Sequence, residues 1–261
     1  MLAAVEKGDA KKLAELMRQD PGFDVNKEDG HWRSLLHHTC YDSRRSAVIP
    51  LLLAHPNIDV NLKDKNEWTP FYYACVFGSS TCVHEVLKDS RVDVNVPNND
   101  GYAPLWRAAY GGHLNVIQWW IASGREMDLG TPGDSKTGVI WTAQKQGRTA
   151  LVTLLERFRE IPEETRHQVR LEIGWCDNVA AEMFALVVFV SDGLLQMKGS
   201  TTTPSPAARF FNIAKRLPLE LQMVLCRRVV RSSKEIIPGK DSEVAFKELA
   251  RRLVWSSFFT D

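Results

Sequence analysis

The chain is 261 residues long, 44% hydrophobic and 25% charged, with a formal net charge of +1, a composition that suits an extended repeat array joined to a smaller globular part. The near-neutral balance leaves no basic footprint for nucleic acid or an anionic membrane surface, and the longest apolar run, Met183 to Val190, stops at eight residues, far short of the ~20 that a helix needs to cross a bilayer. Five cysteines, an odd number with no Cys-x-x-Cys pair, exclude a disulfide scaffold and read as reduced thiols in a cytoplasmic or nuclear setting.

From its first residues the chain repeats itself. Asn26, Asn61, Asn95 and Gly130 stand at steps of 35, 34 and 35 residues, and each heads a turn, a short apolar helix, a glycine and a second helix. Thirteen residues beyond each anchor stand Thr39, Ala74, Ala108 and Ala143, and seventeen beyond stand Ser43, Gly78, Gly112 and Gly147. Counting back one period from Asn26 places Ala4 and Gly8 at the same two offsets, so Leu2 to Gly8 reads as the truncated first helix of another unit, and no cleaved leader is expected. About five repeats result, the first and last acting as caps. The apolar runs 48–53, 83–87, 116–121 and 151–155 supply the second helices, with Leu52 and Leu154 expected inside. A single unit of this kind cannot bury its apolar face alone, so the units must stack.

The turn residues have physical reasons. Thr69 can cap the helix it starts, while Pro70 and Pro104 occupy first turns, where the missing N–H costs nothing. Gly78, Gly112 and Gly147 permit an abrupt stop before the second helix. With Trp68-Thr69-Pro70-Phe71-Tyr72-Tyr73-Ala74, Asp100-Gly101-Tyr102-Ala103-Pro104-Leu105, Gly112-His113 and the repeated Asp24-Val25-Asn26, Asp59-Val60-Asn61 and Asp93-Val94-Asn95, the chain resembles the ankyrin-repeat family over residues 1–158. The second unit departs from the pattern, with Trp32 in the turn-glycine place and Leu35 in the proline place. The resemblance implies an all-α solenoid with short β-turn fingers, and a compact helical domain is expected over 159–261.

Beyond Glu156 the period disappears. Pro162 with Glu163 and Glu164 reads as a helix start, and a second helix is expected from Asp177 towards Leu195. After a loop at 198–206, rich in Gly, Thr and Pro, three more helices are expected: about Ala207–Arg216, Pro218–Ser232 and Asp241–Ser257. The stretch Leu217-Pro218-Leu219-Glu220-Leu221-Gln222-Met223-Val224-Leu225 is similar to the opening of an F-box, which implies docking on a ubiquitin-ligase adaptor through Leu217, Leu221 and Leu225. Read without the resemblance, those three residues are the i, i+4, i+8 core stripe of a helix.

In ankyrin proteins the finger tips and the exposed ends of the first helices line a concave groove, and this implies partner contacts at Arg33, Tyr41, Lys65, Asn66, Trp68, Phe77, Asn99, Tyr102, Tyr110 and Lys145. Further positions of the same kind are His31, Asp42, Val76, Asp100, Ser135, Thr137 and Gln146. The set is aromatic where a fold alone would accept polar side chains, and aromatic residues with Arg dominate binding energy at protein interfaces. The same rings could instead cover one another or pack under the C-terminal helices. Trp119 and Trp120 replace a pair of leucines and read as packing residues. His31, His37 and His38 resemble a metal cluster, but His37 stands at the family's structural histidine and its neighbour points to another helix face.

Catalytic patterns are lacking: there is no Gly-rich phosphate loop, Gly-x-Ser-x-Gly elbow or His-Glu-x-x-His. The expectation is a non-enzymatic protein-interaction module without cofactor or metal, binding neither nucleic acid nor membrane. An adaptor for a ubiquitin ligase is the alternative.

Overall fold

The computed structural model describes residues 1–131, 133–134, 137–192, 206–230, 237, 242–247 and 249. All regular structure among them is helical. Two compact units are present, and the division falls between Val169 and Arg170, inside a helix that begins at Pro162.

The first unit carries α1 (Leu2–Glu6), α2 (Ala10–Gln19), α3 (Leu35–Cys40), a 3-10 turn (Ser43–Val48), α4 (Ile49–Leu53), α5 (Pro70–Val76), α6 (Ser80–Leu87), α7 (Pro104–Gly111), α8 (Leu114–Ser123), α9 (Val139–Lys145) and α10 (Thr149–Glu160), and α11 (Pro162–Glu172) begins in it. The first helices of successive repeats pack in one row, α1 on α3, α3 on α5, α5 on α7 and α7 on α9, and the second helices form a parallel row in which α4 and α8 flank α6. Leu36, Leu52, Phe71, Leu105, Ile117, Trp120 and Leu151 are sealed in the core, each side chain contributing ~1.5–3 kcal/mol by leaving water. In α10 the buried positions are Leu151 and Leu155, while Leu154, expected inside, is half-buried.

Local chemistry ends and starts these helices as their residues dictate. The Thr69 hydroxyl accepts the Tyr72 N–H at 3.1 Å, and Pro104 opens α7. The second repeat has Ser43 where the others carry glycine, and there the chain runs on as a 3-10 turn and leaves α4 only five residues. Gly78 and Gly111 are required for contact rather than for turning alone: a Cβ on either would stand 2.4 Å from the His113 ring. That ring bonds back to the Val76 carbonyl at 3.0 Å and so ties the fourth repeat to the third.

The repeated Asp-x-Asn signature is a joint. Asp24, Asp59 and Asp93 each accept the N–H two residues on, at 2.9, 2.9 and 3.1 Å. The Asn26 amide then donates to the Asn57 carbonyl at 2.7 Å and accepts the Asp59 N–H at 2.9 Å. Asn61 does the same one repeat later, with Arg91 at 2.9 Å and Asp93 at 2.8 Å. Asn95 makes no such side-chain bond among the described residues, and the next anchor, Gly130, has no side chain to make one; a Cβ there would lie 1.8 Å from the Thr137 carbonyl oxygen.

The second unit centres on α12 (Trp175–Ser191), which packs against α13 (Pro206–Ala214) and α14 (Leu219–Val230). Ala180, Ala181, Phe184, Ala185 and Val187 of α12 meet Ala214, Cys226, Ile237 and Ala245 in its core. The long apolar run thus belongs to a core helix, with Phe184, Ala185 and Val187 turned inward, and no single helix among the described residues is long and apolar enough to cross a membrane. α12 starts at Trp175, two residues before the expected Asp177, and its expected extension to Leu195 lies outside the described residues. So does most of the helix expected over 241–257, of which 242–247 are helical.

The stripe expected at Leu217, Leu221 and Leu225 needs correction at Leu221: Leu225 packs against the core of this unit and Leu217 is half-buried. Gln222, Cys226 and Arg227 are the buried residues of α14, while Leu221 is 50% exposed. The buried Gln222 amide donates to the Leu217 carbonyl at 2.9 Å, and Leu221 faces outward.

Candidate interaction face

Three fingers are built alike. Asp29, Asp64 and Asn98 each donate their N–H to the carbonyl four residues on, at 3.0, 3.0 and 3.1 Å. Their side-chain oxygens accept the N–H groups of the enclosed turn: His31 and Arg33, Asn66 and Trp68, Asp100 and Tyr102. Neighbouring fingers join through backbone bonds, Lys65 N–H to the His31 carbonyl and Asn99 N–H to the Asn66 carbonyl, both 3.3 Å. The turn residue with positive φ is Gly101 in the fourth repeat but Trp32 (φ 62°) and Glu67 (φ 60°) before it, so the second finger keeps its regular shape despite Trp32. A left-handed residue with a Cβ costs ~1–2 kcal/mol, and Trp32 holds its indole 54% exposed there.

The rings expected on separate tips form one connected band. Tyr41 and Phe77 lie 4.2 Å apart between centroids, Phe77 lies 5.8 Å from Tyr73, and Trp68 lies 5.3 Å from Tyr73 and 5.0 Å from Tyr72. The Arg107 Nε–H donates to the Tyr72 hydroxyl at 3.0 Å and carries the band to the fourth repeat. There the guanidinium stands 5.0 Å from the Tyr102 ring and 5.5 Å from Trp106. Tyr102 packs on Trp106 at 4.3 Å, and Tyr110 stacks on its other end at 5.3 Å with planes 14° apart.

The band has a floor and a rim. Tyr72, Tyr73 and Trp106 are buried, while Tyr41, Phe77 and Tyr110 are 48, 42 and 46% exposed. Of the other expected contact residues, Lys65, Asn66, Asn99 and Lys145 are exposed, and Arg33, Trp68 and Tyr102 are half-buried. None is sealed in the core. Of the further positions, His31, Asp100, Thr137 and Gln146 are exposed, Asp42 and Val76 are half-buried, and Ser135 lies outside the described residues. Some rings thus cover one another, and the rim is left to solvent. Trp119, by contrast, stacks on His84 at 4.0 Å in the row of second helices, and Trp120 is fully buried with its indole N–H on the Glu126 carbonyl.

The floor was the part that position-by-position transfer missed. Eleven residues past the four anchors stand His37, Tyr72, Trp106 and Trp141, a ring at the family's histidine place in each of these repeats, and this was the available signal. In the second repeat His37 Nε2–H reaches the Trp68 carbonyl at 3.0 Å, while Nδ1 accepts the Ser34 N–H at 3.0 Å, which fixes the neutral tautomer. His38 turns instead to Asp29 at 3.1 Å.

Electrostatics freeze the framework around the band. Partial burial would raise the Asp29 carboxyl, but hydrogen bonds from the Arg33 side chain and from the Arg33 and His31 backbone hold it well below the usual carboxylate range. Arg44, through side chain and backbone, holds Asp42 at about 2. Burial, together with donation to the Asp64 carboxylate at 2.8 Å, pushes the Tyr73 hydroxyl far up. Burial also raises Tyr72, against the opposing pull of Arg107. Cys40, Cys75 and Cys82 are buried and held as thiols, Cys82 at about 12, so the face carries no thiolate nucleophile. Among the described residues no group of His, Cys, Asp and Glu is arranged to hold a metal.

A family model described as ankyrin repeats (3 copies) matches residues 1–98 and again 44–131. Among similar proteins, SMC5-SMC6 complex localization factor protein 1 is 30% identical in Homo sapiens and 39% in Bos taurus, each over 53% of this chain and 14% of the relative. Rabankyrin-5 of Mus musculus is 24% identical over 56% of the chain and 13% of the relative. The chain thus spans only about 14% of the length of the first of these relatives. No F-box-type tail emerges from these comparisons.

Proposed function

The chain belongs to the ankyrin-repeat family, and from that premise we propose that it is a non-catalytic binding module whose face along α3, α5 and α7 takes up an extended segment of a partner protein. One observation carries the reading: Tyr41, Phe77 and Tyr110 stay nearly half open to water although each rests on a neighbouring ring. Exposing three aromatic side chains in one band has no use for folding. A partner that covers them gains their apolar area, and because the floor beneath is already ordered, little side-chain entropy is lost on binding. The relatives named for localising the SMC5-SMC6 complex make a protein assembly of that kind the first place to look for the partner, in a cytoplasmic or nuclear setting.

The test is affinity capture with the full chain and with a Phe77→Ala/Tyr110→Ala variant. Captured partners are expected to bind the variant at least tenfold more weakly, ~1.4 kcal/mol or more. Undiminished capture by the variant sinks the reading. The adaptor alternative draws on the exposure of Leu219 and Leu221, and retention of a ubiquitin-ligase adaptor that Leu221→Asp abolishes would favour it.

A further inference from the structure

We propose that the segment taken up on the aromatic face is acidic, and that Arg107 receives one of its carboxylates; the inference rests on the peptide-binding reading above. Arg107 is half-buried in α7. Its Nε is engaged by Tyr72 and its plane is flanked by Tyr102 and Trp106, so its position is fixed from three directions. No carboxylate among the described residues pairs with it, and Asp100, the acid on its own finger, bonds to the Asn98 amide at 3.3 Å instead. A half-buried guanidinium with no carboxylate in ion-pair contact keeps charge that an incoming carboxylate can neutralise. Its two terminal nitrogens form the fork that matches a carboxylate with two parallel hydrogen bonds.

The rest of the face has the same bias. Three of its acids are already committed, Asp29 to Arg33 and His38, Asp42 to Arg44, and Asp64 to Tyr73, and of the exposed finger acids Glu67 pairs with Lys63. Its cations lie instead on rings, Arg45 over Tyr41 and Lys65 over Trp32 at 5.9 Å, and Lys145 over Trp141 at 5.5 Å. A ligand approaching the rim therefore meets aromatic surface and unneutralised positive charge. Spacing favours a peptide over a single-stranded nucleic acid. The cations stand one to a repeat, not in the continuous track that follows a phosphate backbone, and the rings lie mostly tilted or edge-on to one another, not as a row of parallel faces for successive bases.

The experiment pans a displayed library of random peptides on the full chain and keeps sequences that bind the wild type but not the Phe77→Ala/Tyr110→Ala variant. These sequences are expected to be rich in Asp and Glu beside apolar residues. They should bind Arg107→Gln about tenfold or more weakly, Arg107→Lys at an intermediate level, and the wild type less tightly as salt rises. Because Arg107→Gln also removes the bond to Tyr72, the reciprocal change is made in the peptide: replacing its Asp by Asn should produce the same loss on the unaltered chain. Rim-dependent sequences without acidic enrichment, or indifference to Asp→Asn, overturn the inference while leaving the peptide reading intact. Failure to recover any rim-dependent sequence overturns both. A single-stranded oligonucleotide that displaces the peptides and outbinds them overturns it in favour of nucleic acid.

Discussion

His37 shows how much one residue of this fold carries. It caps its own helix through Ser34, holds the next finger through the Trp68 carbonyl, and lies 5.5 Å from the Tyr73 ring. Burial lowers its pKa from 6.5 to about 4, with the Trp68 carbonyl pulling partly the other way. Above pH 6.5 the imidazole is neutral in both folded and unfolded chains and adds no pH dependence. Between 6.5 and 4 the unfolded chain takes the proton first, so stability falls as pH falls, by up to ~1.4 kcal/mol per pH unit. Below about 4 the folded chain takes it too and the loss levels off. Urea midpoints should accordingly be lower at about pH 5 than at about pH 7.5, and the difference should shrink in His37→Gln, which should itself cost ~1–3 kcal/mol at the higher pH. An undiminished acid response in that variant would assign the effect to His38 and His55, whose pKa values burial also lowers.

Within a repeat, the two helices divide the work: the second supplies core, and the first carries core on one side and the aromatic band on the other. Leu52→Ala in α4 should cost ~2–5 kcal/mol of stability, since a fully buried side chain leaves a cavity, whereas Tyr110→Ala at the rim should change it by less than ~1 kcal/mol. Chemical melts separate the two, and a Tyr110→Ala loss as large as that of Leu52→Ala would make Tyr110 a packing residue and not a contact. The repeat helices could be read from sequence because each is marked by a turn residue, a proline or a glycine at a fixed offset. Where one mark was missing the reading slipped: Ser43 in a glycine's place yields a 3-10 turn and a shortened α4. The band's rim was legible from positions at the ends of the first helices that had no folding reason to be aromatic. Its floor was not, because Tyr72 and Trp106 occupy a place where the pattern names histidine, and only the packing of α5 on α7 brings Arg107 to Tyr72.

Across the whole chain, legibility follows the repeat. The first unit could be laid out by counting, and the family match covers residues 1–131 of it. In the second, prolines and acidic first turns marked the helices singly, but nothing in the spacing of Leu217, Leu221 and Leu225 told that α14 would bury Gln222 and turn Leu221 out, because that choice is made by the helix it packs on. The asparagine joints are unevenly placed as well. Asn26 and Asn61 lock their repeats to the next ones, whereas beyond Asn95 the corresponding tie among the described residues is Arg125, reaching back to the Asp89 and Val92 carbonyls. The array should then behave like a zip whose last teeth are the loosest. In native-state hydrogen exchange, the amides of α9 and α10 are expected to trade deuterium sooner than those of α5 and α7, by fraying from the Gly130 side inward. Uniform exchange along all the repeats would mean that the asparagine joints add nothing to cohesion.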